Sequence, residues 1–366
     1  MLYSLFLSFY VYFICSSFTL TSAIPSRQRK DIKFLTSDEK EQYVNAVHLL
    51  KLEPSPFHED MSFYDSLVLL HQEAVKYEQT ELPDYNIAHG TSVFPPFHRK
   101  LLSLYEDKLN EITGRNDIAI PFWDWTDPES TEALLADDFM GRGDPEQCYK
   151  VTTGRFNEAS GWTVDVKSYN EEHMCPWTYL ARGTGDVSAT ILEVIMATKQ
   201  DLDPLMAVSR YDCEPWDDMA SLNCSFRNML EGYDPQDHIK QRMHNAAHWW
   251  VGGKFYCEDD KSQGTVGTLD ISPADPLFFS LHAFVDFLWA AWQRRHNHMG
   301  EYFPTGTEGH RGPAGLNLDD ELYPYLNYKD NLEMMKRGIT PRDMLFVYNL
   351  DYTYSTLERR VDFDSL

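Results

Sequence analysis

Two histidines four positions apart, His244 and His248, constrain the fold of this chain more than any other feature of its sequence. The segment that carries them has no glycine or proline until Gly252, so it can form a helix. Residues four apart project from the same helix face, where both imidazoles can bind one metal ion. The pair supplies half of a metal site, and the stretch from Arg242 to Trp289 is expected to organise the rest of the domain.

A second helix is predicted just downstream, where Asp275 is a natural N-cap and Pro276 suits the first helical position. Phe278, His282 and Trp289 then recur at helical spacing, which places His282 in an apolar, inward-facing stripe. A buried imidazole needs a partner for each nitrogen, and a metal ion plus a hydrogen-bond acceptor satisfies both. A lone histidine on an apolar face is more often a core residue, but three histidines with this much aromatic packing favour a metal site.

Three further histidines form a second trio. His71 shares an apolar face of a helix predicted over residues 62–77. His89 lies on a loop that ends at Gly90, and His98 faces inward near the start of another helix. Taken alone, these could be three unrelated core histidines, but two trios in one chain support each other.

The ligand type narrows the choice of metal, because sites made only of imidazoles suit copper, zinc or iron. Zinc enzymes with an HExxH motif need a glutamate beside the first histidine, whereas Asn245 and Ala246 fill those positions here. Di-iron carboxylate bundles need Glu-x-x-His motifs, which the chain lacks. Both alternatives are therefore disfavoured.

Length and charge limit the class of protein. The 366 residues can form one large domain or two, and the net charge of −25 argues against binding to nucleic acid or to anionic membranes. Residues 1–23 are apolar and end in small residues, which predicts a secretory signal peptide, with an uncleaved anchor as the alternative. No later segment has eighteen consecutive apolar residues, so no stable membrane association is expected after the signal is removed.

The cysteines fit a secretory route. Apart from Cys15 in the predicted signal, five cysteines remain, and proximity in sequence suggests the pairs Cys148–Cys175 and Cys213–Cys224. The residues from Asn223 to Ser225 form a glycosylation sequon, a pattern that is also frequent by chance.

Four motifs in the chain resemble those of one family: HGTSVFPPFHRKLLSLYE, IPFWDWT, MHNAAHWWVGG and DPLFFSLHAFVDFLWAAWQ. Together they resemble the tyrosinase and catechol oxidase (polyphenol oxidase) family of binuclear type 3 copper proteins, in the right order over residues 37–354. The resemblance implies a mainly α, single catalytic domain over residues 24–366. Its dicopper site would lie in a central four-helix bundle with long irregular loops and a few short strands. It also implies a ligand set: His71, His89 and His98 for the first copper, and His244, His248 and His282 for the second.

The same resemblance assigns roles to other residues. Glu231 and Asn245 would hold a water that deprotonates a monophenol, although Glu231 could instead only cap or pair locally. Leu269 falls where the family places a gate residue. Two aspartates would support the ligands from behind, Asp275 and Asp286, with helix capping as the rival role for Asp275. Phe278, one turn before His282, would pack against the second trio.

Some positions depart from the family pattern. Phe97 replaces a usual tryptophan, and Leu281 replaces a histidine that many tyrosinases place before the last ligand. Ile87 replaces the cysteine that many eukaryotic members join to the second histidine, so no thioether crosslink is expected. The Tyr352-x-Tyr354 pattern resembles the marker that ends the catalytic domain, and it predicts a short form without a C-terminal lid domain.

These observations predict a secreted, copper-dependent phenol oxidase that uses O2 to convert o-diphenols to o-quinones and can also hydroxylate monophenols. The expected partner is a small phenolic substrate. The alternatives are a catechol or o-aminophenol oxidase without monophenolase activity, a non-catalytic oxygen carrier of the haemocyanin type, and a zinc hydrolase.

Overall fold

The structure is a computed structural model that describes residues 26–76, 86–164, 178–328 and 338–355. The predicted signal peptide, residues 1–23, lies outside the described residues, and so does Cys175. The mainly α fold predicted from the sequence is confirmed. Among the described residues, none of the helices is both long enough and apolar enough to cross a membrane.

Helices make up most of the regular structure, and four of them carry or flank the histidine trios. In chain order the helices are α1 (Ser37–Leu52), α2 (Phe63–Val75), α3 (Phe94–Thr113), α4 (Pro128–Leu134), α5 (Lys199–Ala207), α6 (Phe226–Glu231), α7 (Met243–Gly252), α8 (Leu277–His296) and α9 (Tyr325–Tyr328). Helices α2, α3, α7 and α8 surround the trios, and α1 packs on the outside against α2 and α3.

The few strands are short, as predicted, and in the part of the chain that the structure describes they form four two-stranded sheets. Parallel pairs join β1 (Arg27–Arg29) to β8 (Tyr352–Tyr354) and β4 (Glu193–Val194) to β5 (Lys240–Gln241). Antiparallel pairs join β2 (Gly143–Asp144) to β3 (Lys150–Val151) and β6 (Lys254–Cys257) to β7 (Asp260–Gln263). In the first sheet Arg27 is opposite Tyr352 and Arg29 is opposite Tyr354, so the two ends of the described chain lie together.

Local sequence explains where the helices begin. Helix α1 starts with a capping box between Thr36 and Glu39, and the Ser62 hydroxyl caps α2 by accepting from the Asp65 amide. The N-cap predicted for α8 is wrong by one residue, because Pro276 takes that position and the helix begins at Leu277. Asp275 still stabilises this helix start, since its Oδ1 accepts from the Leu277 amide at 3.0 Å.

A buried polar network joins the chain ends to the bundle. Asp286 of α8 accepts hydrogen bonds from the guanidinium groups of Arg99 and Arg29 and from the hydroxyls of Tyr352 and Tyr354. Burial opposes ionisation of this carboxyl, but the two guanidinium groups hold the pKa of Asp286 below its ordinary value. The network therefore links α3 and α8 to β1 and β8 through one ionised side chain.

Two disulfides stabilise the irregular regions. The predicted pair Cys213–Cys224 is confirmed, but the predicted pair Cys148–Cys175 is wrong, since Cys148 bonds to Cys257 at a separation of 109 positions. Sequence proximity failed because the segment around Cys148 folds back onto the β6 strand. There the rings of Tyr149 and Phe255 lie 4.5 Å apart and bring the two cysteines together.

Candidate metal centre

The first trio comes from three different segments. His71 lies on α2, His89 on the loop before α3, and His98 in the second turn of α3. The ring centroids are 5.2 Å apart for His71 and His89, 5.6 Å for His71 and His98, and 5.0 Å for His89 and His98. All three side chains are buried, and one nitrogen from each lies within 4.8 Å of the others. The structure therefore brings together the three histidines that the sequence grouped.

The second trio converges more tightly. His244 and His248 lie one turn apart on α7, and His282 faces them from α8. The Nε2 atom of His282 is 3.3 Å from that of His244 and 3.1 Å from that of His248. Nitrogens bound to a single ion at about 2.0–2.1 Å in a tetrahedral arrangement lie about 3.3 Å apart. These three imidazoles are thus spaced as ligands of one metal ion.

Hydrogen bonds to the outer ring nitrogens orient three of the imidazoles. The Nδ1 atom of His98 donates to the Phe94 carbonyl oxygen at 2.8 Å, and that of His248 donates to the Val266 carbonyl oxygen at 2.7 Å. The Nδ1 atom of His244 donates to Oδ1 of Asn245 at 3.1 Å. A histidine that donates from Nδ1 keeps a lone pair on Nε2, which can then bind a metal.

Several other buried nitrogens have no hydrogen-bond partner in the protein. Such unpaired nitrogens indicate whether a metal ion would fit the site. Within the described residues, both ring nitrogens of His71, Nδ1 of His89, Nε2 of His98 and Nδ1 of His282 make no hydrogen bond. A buried polar atom without a partner costs about 1–3 kcal/mol, so folded proteins rarely retain several of them at one place. A metal ion in the first trio would satisfy unpaired nitrogens of His71, His89 and His98, while in the second trio an ion would be held by the three converging Nε2 atoms. The imidazole ligand set suits copper.

The two trios face each other. The rings of His98 and His282 are stacked with centroids 4.0 Å apart, and those of His89 and His244 are 6.1 Å apart. Arg99, next to His98, pairs with Asp286, which lies one turn after His282, so one ion pair holds the two ligand-bearing helices in register. The arrangement is suited to a pair of metal ions rather than to two independent sites.

Burial keeps the imidazoles neutral. It lowers the pKa of His98 to about 3 and that of His248 to about 4, and in both cases desolvation is the largest cause. The pKa values of His71, His89, His244 and His282 are also lowered well below the ordinary value, first by burial and then by the neighbouring imidazoles. All six are therefore in the form that binds metal at neutral pH.

This burial predicts a pH-dependent stability for the metal-free protein. Below pH about 6.5 the unfolded chain takes up protons that the folded imidazoles exclude, so the free energy of unfolding should fall. His98 and His248 should each remove about 1.4 kcal/mol per pH unit until the pH reaches their lowered pKa values of about 3 and 4. Urea unfolding of the chelated protein at pH 7.5, 6.5 and 5.5 measures the slope. In the His98→Leu variant the free energy of unfolding should depend less steeply on pH, by the amount that corresponds to about one proton. Equal slopes for the variant and the wild type would contradict the prediction.

Two phenylalanines contact the histidines. The Phe278 ring, singled out from the sequence, has its centroid 4.1 Å from that of His282 and 5.3 Å from that of His71. Phe94 was missed, yet its ring centroid is 4.7 Å from that of His244 and 5.0 Å from that of His98. Its position four residues before His98 places it on the same helix face, and this spacing could have identified it. Both rings are fully buried beside the histidines.

Glu231 and Asn245 lie beside the histidine trios. Glu231 is fully buried at the end of α6, where its Oε1 accepts from the Gly90 amide at 2.6 Å and its Oε2 lies 3.5 Å from Nη1 of Arg227. Burial raises the pKa of Glu231 to about 8, against the opposing effect of Arg227. Asn245 orients His244, and Gly90 directly follows His89. The suggested role of Glu231 and Asn245 in holding a water remains a prediction.

The other three residues singled out from the sequence have different environments. Asp275 receives two hydrogen bonds from the buried Arg182, both of 2.7 Å, and its described hydrogen bonds stabilise the start of α8 rather than a histidine. Among the described residues, Asp286 makes no hydrogen bond to a histidine of either trio, but it accepts from Arg99, which directly follows His98. Leu269 is 45% exposed and begins the 3-10 turn Leu269–Ala274, in which the Ser272 hydroxyl lies 3.2 Å from Nδ1 of His248. The gate role of Leu269 remains a prediction.

Comparison with known proteins agrees with this geometry. Residues 61–295 match the family model described as the common central domain of tyrosinase. The chain is 30% identical to a tyrosinase of Streptomyces lincolnensis, over 81% of this chain and 92% of that protein. It is also 30% identical to grixazone synthase of Streptomyces griseus, over 76% of this chain and 87% of that protein.

Solved structures show the same fold. A polyphenol oxidase from Thermothelomyces thermophila superposes with a TM-score of 0.56 at 20% identity, over 89% of this chain and 88% of that one. A functional unit of octopus hemocyanin superposes with a TM-score of 0.54 at 19% identity, over 90% of this chain and 68% of that one. At these identities the likeness concerns the fold alone.

A helical domain that buries two facing trios of neutral imidazoles is a binuclear metal protein. The chain belongs to the tyrosinase family, and it is a copper-dependent oxidoreductase of the kind that uses a dicopper centre with O2. The family, the copper pair and the enzyme class predicted from the sequence are thereby confirmed.

Proposed function

We propose that this protein uses O2 to oxidise o-diphenols to o-quinones and that it also hydroxylates monophenols. One observation carries the proposal: two facing trios of imidazoles whose pKa values lie below the ordinary value, in a site lined by phenylalanines. His71, His89 and His98 would hold one copper, and His244, His248 and His282 the other. When bound, the copper pair supplies the electron transfer between phenol and O2.

The substrate would approach from the α7 side of the centre. His248 and Asn245 are only partly buried, whereas the other five histidines are buried. Phe94 and Phe278 close off the interior, so a phenol ring enters beside His248 and meets a site from which bulk water is excluded. The low polarity there strengthens every electrostatic contact made with the bound phenol.

Monophenol activity requires a group that accepts the phenol proton. A phenol has a pKa of about 10, so it must lose its proton to reach a metal at neutral pH. Burial raises the pKa of Glu231 to about 8, so its ionised form is a stronger base than an ordinary glutamate. Glu231 lies one hydrogen bond from the amide after His89, and Asn245 lies one hydrogen bond from His244. We propose that Glu231 and Asn245 together hold the water molecule that accepts the phenol proton.

Glu231→Gln tests this assignment. The glutamine oxygen can still accept from the Gly90 amide, so the loop that carries His89 keeps its place, but the basic group is lost. Monophenol hydroxylation should fall about 100-fold, as for loss of a general base, while diphenol oxidation stays within about threefold. Steady-state rates with a matched monophenol and diphenol measure both. Asp237→Asn, on the nearby loop, is the control and should change neither, and an equal loss of both activities in Glu231→Gln would reject the role.

The overall proposal is tested by metal analysis together with a panel of monophenols, diphenols and o-aminophenols. We expect two copper ions per chain and O2 uptake that accompanies quinone formation. A copper-loaded protein that turns over none of these compounds would reject the proposal. Reversible oxygen binding without quinone would instead favour an oxygen carrier, the alternative to which the fold shared with hemocyanin points.

We also propose that the protein is secreted, with residues 1–23 as its signal peptide. Support comes from the two disulfides, because such bonds persist in oxidising compartments, and from the exposed Asn223 in the sequon. Amino-terminal sequencing of protein from the culture medium checks this proposal, since the expected first residue is Ile24.

A further inference from the structure

A cleft separate from the metal centre lies where the end of α6 meets the start of α7. Its volume is about 310 Å³, at the lower end of the range of roughly 300–1,000 Å³ typical of small-molecule sites. None of the six histidines lines it. Its lining combines apolar side chains, among them Met196, Leu222 and Met229, with the charged side chains of Asp201, Asp234 and Arg242.

The apolar part of this cleft suits an aromatic ring. Three methionines contribute to its walls, Met196, Met229 and Met243, together with the side chain of Leu222. Methionine sulfur makes favourable contacts with aromatic rings, and its flexible side chain adapts to ligands of different shape. A flat, single-ring molecule would therefore be held by dispersion and sulfur–aromatic contacts.

The polar part of the cleft mixes donors and acceptors. Arg242 is the cation of the lining, and within the described residues its guanidinium makes no hydrogen bond or ion pair. The pKa of Asp201 is lowered mainly by its hydrogen bonds from Thr198 and less by the charge of Arg242. Asp201 accepts through one oxygen from Thr198 of its own helix cap, and Asp234 accepts through one oxygen from the Gln236 amide. Both carboxylates remain acceptors, so a neutral hydroxyl could accept from the guanidinium and donate to a carboxylate.

Charge argues against an ionised ligand. The two carboxylates of the cleft outnumber Arg242, and with the net charge of −25 they disfavour an anion. A neutral ring with one hydroxyl group can bridge the guanidinium and a carboxylate, whereas a cation would lie against the guanidinium of Arg242.

The cleft also contacts the backbone that positions the metal centre. Met243 lines it and directly precedes His244, and its backbone has φ of 44°, a left-handed conformation that is unfavourable for an L-residue. Gly232 directly follows Glu231, and a Cβ there would lie 1.9 Å from the Arg242 carbonyl oxygen, so only glycine permits this close approach. A molecule in the cleft would touch the junction that holds Glu231 and His244.

We propose that this cleft binds a neutral, single-ring phenol at a second site, separate from the molecule oxidised at the metal centre. The choice of a phenol among neutral aromatic alcohols rests on the proposed function. The cleft, its lining and its separation from the histidines do not depend on that function.

The test counts bound ligands on the copper-loaded protein. The reduced, oxygen-free protein cannot turn over a phenol, so 4-fluorophenol can be titrated and followed by fluorine NMR. We expect two molecules per chain, with a dissociation constant on the order of 1 mM at the cleft, as befits so small a ligand.

Two variants that fill the cleft test its location. Met229→Trp fills it from α6, and Ile195→Trp fills it from the exposed rim, where a larger side chain cannot disturb the core. Each should leave one bound molecule per chain, with cleft affinity at least about tenfold weaker. Met219→Trp, at an exposed methionine outside the cleft, is the matched control and should keep two.

Several results would overturn the proposal: a single molecule bound by the wild type that both cleft variants retain, two molecules bound by both cleft variants, or tighter cleft binding by 4-fluorobenzoate or 4-fluorobenzylamine than by the phenol. The proposed oxidase function can fail independently. In that case the site at the metal centre would be missing, while one molecule would still bind the wild type and be lost from both cleft variants.

Discussion

Replacing His98 by alanine should abolish O2-dependent phenol oxidation, with a loss of at least about 10³-fold, and should lower the copper content from two ions to about one. His98 presents an unpaired Nε2 to the first trio, while its Nδ1 is held by the Phe94 carbonyl. Without it only two imidazoles remain in that trio to hold an ion, so the copper pair that would supply electron transfer to O2 would be incomplete. Metal analysis and an oxygen electrode measure the two effects.

The control for this substitution is His310→Ala, because His310 is exposed and belongs to neither trio. It should keep two copper ions and full activity. Retained activity in a folded His98→Ala protein would mean that the first trio does not bind a catalytic copper.

Replacing Asp286 by alanine should lower the free energy of unfolding by about 3–5 kcal/mol, the typical cost of leaving a buried charge unpaired. Arg99 and Arg29 are both fully buried and both donate to this carboxylate, so its removal leaves two guanidinium groups without their shared partner. The hydroxyls of Tyr352 and Tyr354 lose the same acceptor. Urea unfolding of the metal-free protein measures the change.

An exposed ion pair provides the matched comparison. Asp319 accepts two hydrogen bonds from Arg342, at 2.6 and 2.9 Å, but both side chains are more than half exposed. Solvent and salt screen such a pair, so Asp319→Ala should change stability little. Equal effects of the two substitutions would show that the buried network contributes no more than a surface contact.

The histidines were predictable because helical spacing and apolar neighbours are local properties of the sequence. His244 and His248 needed only the four-residue repeat, and His282 needed only its place in an apolar stripe. The partners that fix these rings were harder to foresee. The Val266 carbonyl and the Ser272 hydroxyl reach His248 from a loop that follows a hairpin, and its path depends on tertiary packing.

The errors have the same origin. Cys148 was assigned a neighbour in sequence, whereas the actual partner, Cys257, is brought close by packing of the aromatic rings of Tyr149 and Phe255. For Asp275, support for a histidine and helix capping were both considered. Its carboxylate accepts from the Leu277 amide at the start of α8, and its second partner, Arg182 from a distant segment, was not foreseen. Long-range pairings of this kind leave no periodic signal in one sequence.

The pairing of β1 with β8 has a consequence for the order of events during synthesis. Arg29 contributes to the Asp286 network together with Tyr354, 325 positions later, so the network cannot form until nearly the whole domain has left the ribosome. The helices that carry the histidines leave the ribosome earlier. They would stay loosely packed until β8 is available, as is common for domains with such distant contacts. Stable capture of copper is therefore expected to follow translation rather than accompany it.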